Sequence, residues 1–150
     1  MQFATFEEVL EFAIGQERAA QVFYTHLAEE SADPERRRYY TELAAQEQGH
    51  EEKLLGLKMS MSTLNLPVPD LEELRKCGYL DTMPLTPEME WKEVLRYLVK
   101  KEKSAKMLYT VLANSTANQE FSELFNYLAQ QECEHAHYFQ KEYNACLNAE

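Results

Sequence analysis

Glu47 and His50, in the tetrad EQGH, stand three residues apart on a stretch whose other inward positions are apolar. The tetrad ECEH at 132–135 repeats the arrangement with Glu132 and His135. On an α-helix, residues three apart share one side, within reach of a common ion. Each tetrad's Glu follows, by 30 residues, a lone Glu on an apolar face: Glu17 before Glu47, and Glu102 before Glu132. Burying four carboxylates together is prohibitive unless cations neutralise them. Four negative charges with two neutral imidazoles balance two divalent metal ions. One Glu-x-x-His pair on a helix says little, because exposed Glu and His are common there. Two copies at equal offset say much more.

The copies belong to a longer repeat. Shifted by 85 residues, 8–50 lies over 93–135 without a gap, and 16 of the 43 positions are identical. Unrelated sequences would share roughly three from average residue usage. Glu8-Val9-Leu10 matches Glu93-Val94-Leu95, and Glu17, Ala20, Tyr24 and Thr25 match Glu102, Ala105, Tyr109 and Thr110. Gln46, Glu47 and His50 match Gln131, Glu132 and His135. The chain reads as a duplicated helical hairpin with a pseudo-twofold axis.

Segments 5–32, 35–58, 88–114 and 118–146 must carry these residues. All four lack proline and are rich in Ala, Leu, Glu, Gln and Lys, which are helix formers. Apolar positions recur at helical spacing and the polar candidates fall in register with them. Phe6, Leu10, Ala13, Glu17, Ala20, Tyr24 and Leu27 share one face of the first segment. Leu98, Glu102, Tyr109 and Leu112 do the same in the third. In SADPE, at 31–35, Asp33 is the expected N-cap, with Pro34 at the first helical position. STANQE at 115–120 is a matching short joint, and short joints imply antiparallel hairpins. The stretch 59–87 is long enough to cross the length of a bundle, with a helical turn expected at Asp70–Cys77. The fold class is therefore all-α, one antiparallel four-helix bundle spanning 1–150, built from two hairpins and a long crossover.

The bulk properties narrow the functions. Twenty-six acidic against 15 basic residues give a net charge of −11, which argues against a nucleic-acid partner. Three cysteines without a CxxC pair exclude a four-cysteine metal site and argue against a disulfide framework. No signal peptide is expected from the opening MQFATFEEVLEF, and no apolar run reaches the roughly 18 residues of a membrane span. A cytoplasmic protein with no membrane contact is expected.

On E17-x6-Y24, E47-x2-H50, E102-x6-Y109 and E132-x2-H135, the chain resembles the ferritin-like superfamily and, within it, the rubrerythrin-like di-iron domain. The resemblance spans about residues 5–146. Glu from two helices with Glu-x-x-His from two others is the established pattern of di-iron and di-manganese carboxylate bundles. Carried over, it makes Glu47 and Glu132 bridging ligands, with Glu17 and His50 completing one coordination sphere and Glu102 and His135 the other. Two Fe ions per chain are implied; Mn also suits the donors, and Zn can substitute in purified protein. The implied activity is reduction of H2O2 or O2 by Fe(II) in oxidative-stress defence, in a homodimer. With no rubredoxin-type four-cysteine site, electrons are expected either from a separate donor protein or not to be needed. Such enzymes also carry an extra Glu one turn from the third-helix ligand. Val99 and Ala105 stand there and neither can coordinate. Three readings therefore stay open: a peroxide- or O2-reducing enzyme, a ferroxidase or iron-handling protein with little turnover, and a non-enzymatic interaction module with a vestigial site.

Tyr24 and Tyr109 lie two turns from Glu17 and Glu102 on the same faces, placed either to hydrogen-bond the carboxylates or simply to pack the core. Cys133 is turned by 100° from Glu132, so inert packing is expected of it. Glu51, beside His50, reads as a solvated helix charge, with an extra ligand or a cation-steering charge as the alternative, and His26 and His137 read as surface residues. Trp91, Tyr39, Tyr97, Phe125 and Tyr127 are expected to pack the bundle or a dimer interface. The RRR run at 36–38 belongs on a solvated face.

Overall fold

The computed structural model describes residues 3–60, 69–76 and 90–149. Among them five helices and no strand are found: α1 Phe6–Glu30, α2 Pro34–Ser60, α3 Leu71–Lys76, α4 Trp91–Asn114 and α5 Gln119–Asn148. They form two compact units, one built on α1 and α2, the other on α3, α4 and α5.

In the first unit, α1 starts where Thr5, in extended conformation, accepts a hydrogen bond from the Glu8 N–H at 3.1 Å. Glu8 reciprocates by accepting from the Ala4 N–H at 2.7 Å, a near relative of the capping box. The chain turns at Ser31–Asp33. Asp33 caps α2 as the sequence predicts, its carboxylate accepting from the Glu35 N–H at 3.0 Å. Pro34 lacks an N–H, which costs nothing at this position. Arg37 then donates to the Ser31 carbonyl at 3.0 Å and closes the joint. The helices run antiparallel: Arg18 pairs with Glu51 while Glu11 pairs with Lys58, so numbers rise on one helix as they fall on the other. Leu10, Leu43 and Leu54 fill the seam and are fully buried, each contributing about 1.5–3 kcal/mol by leaving water.

The second unit repeats the scheme. Asn118 caps α5 by accepting from the Phe121 N–H at 3.1 Å, at the position equivalent to Asp33. The Ser122 hydroxyl donates to the Ala113 carbonyl at 3.1 Å across the joint. Leu95, Leu98, Leu112, Phe125, Leu128 and Phe139 form the buried seam. The helix α3 falls within the predicted turn; the Asp70 carboxylate accepts from the Glu72 and Glu73 N–H groups at 3.0 and 3.3 Å, and Leu74 is its buried anchor.

Some ends differ from the predicted ones. Neither α2 nor α5 meets a Gly or Pro at its predicted stop, and they run on to Ser60 and Asn148. Glu90 is extended and precedes α4, so that helix starts at Trp91 rather than at 88. The rest of the predicted crossover, 61–68 and 77–89, lies outside the described residues, as does Cys77. Among the described residues no helix is long and apolar enough to cross a membrane.

Candidate metal centre

In the first unit, α1 presents Glu17 and α2 presents Glu47 and His50 to the same buried point. His50 Nδ1 is 3.6 Å from Glu17 Oε2 and 3.5 Å from Glu47 Oε1. In the second unit, α4 presents Glu102 and α5 presents Glu132 and His135. His135 Nδ1 is 3.7 Å from Glu102 Oε2 and 3.6 Å from Glu132 Oε2. The two sets agree to 0.1 Å in both distances. All six residues are between 1 % and 3 % exposed.

These separations are longer than good hydrogen bonds. They match ligands around a shared ion. Two donor atoms each about 2.1 Å from one metal, at 90–120°, stand about 3.0–3.6 Å apart. Within each set, one donor atom per residue lies within 4.8 Å of the others. The charge points the same way. Each set buries two carboxylates and one imidazole, so even a protonated histidine leaves a negative charge out of water, which costs several kcal/mol by itself. A divalent cation removes that cost. The residues present therefore fit a metal: two carboxylates and one nitrogen per set suit iron or manganese.

A family model for rubrerythrin matches residues 7–75 and 93–149, most of the chain and all six of these side chains. The chain belongs to the rubrerythrin family. Its fold is the all-α, ferritin-like helical bundle, in agreement with the sequence reading. A hypothetical protein from Pyrococcus furiosus is similar in structure, with a TM-score of 0.76 and 28% identity over 98% of this chain and 93% of that one. No curated protein matches.

Beside the six residues, this rubrerythrin-family chain holds features that sequence reasoning placed differently. Glu51 is not a solvated charge. It accepts from Gln21 at 2.8 Å and from Arg18, and these bonds, Gln21's first, hold its carboxyl below the usual carboxylate range. Arg18 follows Glu17 and Glu51 follows His50, so this clamp sets the register of α1 against α2 beside the metal-type side chains. The signal was present in sequence only as charge, since the pairing is between helices. Cys133 is turned away from Glu132, as the 100° step requires, but it is exposed rather than packed.

The other expectations find their places. Tyr24 and Tyr109 are each 1% exposed. Tyr109 stacks on Phe125 at 6.5 Å. Seven residues of helix put each tyrosine about 10 Å along the axis from its glutamate. His26 is exposed and pairs with Glu30 at 3.2 Å, and His137 is exposed. Arg36, Arg37 and Arg38 are exposed too. Phe125 is core, whereas Tyr127 is 45% exposed. Val99 is buried and Ala105 half-buried, one on each side of Glu102 along α4.

Proposed function

We propose that this chain is a di-iron carboxylate oxidoreductase that reduces hydrogen peroxide or O2 with electrons held as Fe(II). The observation that carries this reading is the duplicate Glu, Glu, His set, buried and matched to 0.1 Å, in a rubrerythrin-family chain. Glu17, Glu47 and His50 would hold one iron and Glu102, Glu132 and His135 the other, with Glu47 and Glu132 shared. Two Fe(II) ions, when bound, supply two electrons together, so the oxidant is reduced without release of a one-electron radical.

The protein's part is positioning and insulation. The four carboxylates hold cations where no other counter-charge is needed. His50 and His135 would each supply one nitrogen donor. Leu54, Leu98 and Leu128, all fully buried, belong to the apolar packing around these helices, which keeps bulk water from reaching a reactive centre. Tyr24 and Tyr109 are proposed to hydrogen-bond the ligand carboxylates from behind and to limit radical escape. A separate donor protein returns the electrons.

Val99 and Ala105 favour a second reading. Where nearby relatives in function would place a further carboxylate, this chain offers apolar groups, so binding and oxidising iron with little turnover is the alternative. Stopped-flow mixing of the Fe(II)-loaded protein with H2O2 and with O2 separates the two. Oxidation much faster with peroxide is the expected result for the peroxidase. Faster consumption of O2 favours ferroxidation, and oxidation no faster than that of free Fe(II) by either oxidant removes both.

A further inference from the structure

The helix α4 carries Arg96, Lys100 and Lys103 at spacings of four and three, a stripe about 10 Å long. With Lys76, the last residue of α3, they line a groove of about 500 Å³. Buried Val99 and exposed Met107 give it apolar surface, and Tyr143 of α5 stands on its far wall. Four of the chain's 15 basic residues thus gather in one groove of a protein with net charge −11. Lys76 is paired with Glu73 at 3.0 Å. Arg96, Lys100 and Lys103 make no ion pair among the described residues.

The internal repeat gives a control. At the 85-residue offset, Arg96 corresponds to Glu11, Lys100 to Gly15 and Lys103 to Arg18. In the first unit those charges serve the hairpin: Glu11 accepts from Lys58 at 2.9 Å, and Arg18 donates to Glu51. In the second unit both partners are replaced, Lys58 by Tyr143 and Glu51 by Ala136. Arg96, Lys100 and Lys103 are therefore not there to lock α4 to α5. They add repulsion along one helix, which an external anion would relieve.

We propose that this groove binds a phosphorylated organic anion of nucleotide size. Its phosphates lie along Arg96, Lys100 and Lys103, and its apolar portion rests on Met107 and Tyr143. Guanidinium is a bidentate match for phosphate oxygens, and lysines serve phosphates as point charges. Cations spaced over about 10 Å suit two or three linked phosphates better than one carboxylate. The volume falls in the range of small-molecule sites, roughly 300–1,000 Å³. A nucleic-acid polymer is disfavoured, because its many phosphates would meet the acidic remainder of the surface.

Titration calorimetry with ATP, pyrophosphate and adenosine, at low salt without added Mg2+, tests this. ATP is expected to bind once per chain, pyrophosphate more weakly, and adenosine not measurably, with affinity falling as salt rises. Binding should be the same in iron-free and iron-loaded protein. Arg96→Gln, Lys100→Gln and Lys103→Gln should each weaken ATP about tenfold, and Lys100→Arg should keep it. Lys58→Gln, in the other unit, should change nothing. No ATP binding, binding that survives all three substitutions together, or binding only to iron-loaded protein overturns the proposal. Tighter capture of poly-glutamate than of ATP also overturns it, and assigns the groove to an acidic protein instead.

Discussion

Glu17 and Glu47 sit beside His50 with at most 3% exposure, and keeping two carboxylates out of water costs stability that a bound cation would offset. Opposite effects follow under two conditions. Glu17→Gln should raise the stability of chelator-treated protein by about 1–3 kcal/mol and weaken metal binding. Thermal melts with chelator and with Fe(II) measure both; a loss of stability in both would contradict the account. Glu51 behaves conventionally. Its folded pKa is depressed by Gln21 and Arg18, so its contribution is fully present above the unfolded value and is lost as pH falls through the folded one. Melting temperature against pH between neutrality and acid should flatten in Glu51→Gln, and an unchanged slope would show that the clamp contributes nothing. The six Glu and His residues were legible in sequence because two periodicities coincide on them, the helical repeat and the 85-residue offset. Glu51 was not, since its partners lie 30 and 33 residues away on another helix.

The helices α1, α2, α3 and α5 begin where Thr5, Asp33, Asp70 and Asn118 satisfy first-turn N–H groups, whereas α4 starts without a side-chain cap. Asp33 and Asn118 perform the same capping at equivalent places in the two units. Asp33→Ala should cost about 1 kcal/mol and lower the melting temperature by about 3 °C, leaving the iron content unchanged. A comparable fall in iron content would mean that the cap also positions Glu47. The capped starts were legible because capping chemistry is local and residue-specific, and the uncapped start of α4 was the one misplaced, at 88 instead of Trp91. The ends of α2 and α5 were not, because neither has a Gly or Pro stop signal and both continue while backbone bonding lasts; the Ser60 hydroxyl donates back to Gly56 at 3.2 Å. Cys133 shows the limit of facing arguments: helical phase told which way it does not point, but not whether a neighbouring side chain covers it.

Across the whole molecule, membership of the rubrerythrin family and the burial of six Glu and His residues point to the same site. Four buried carboxylates and two imidazoles are a costly way to build two helical hairpins, and the duplication keeps them in both. Binding of cations there would make that arrangement favourable and would couple metal content to folding stability. The fold, the family and the six residues follow from pattern alone, whereas the sharing of Glu47 and Glu132 between two irons has to be measured. Anaerobic Fe(II) titration of the wild-type, Glu47→Ala, Glu132→Ala and His50→Ala proteins, with bound iron counted after desalting, does this most directly. The account predicts about two irons per wild-type chain, loss of both in each Glu variant, and loss of mainly one in His50→Ala. Far fewer than two in the wild type, or an equal loss of one in all three variants, would contradict it.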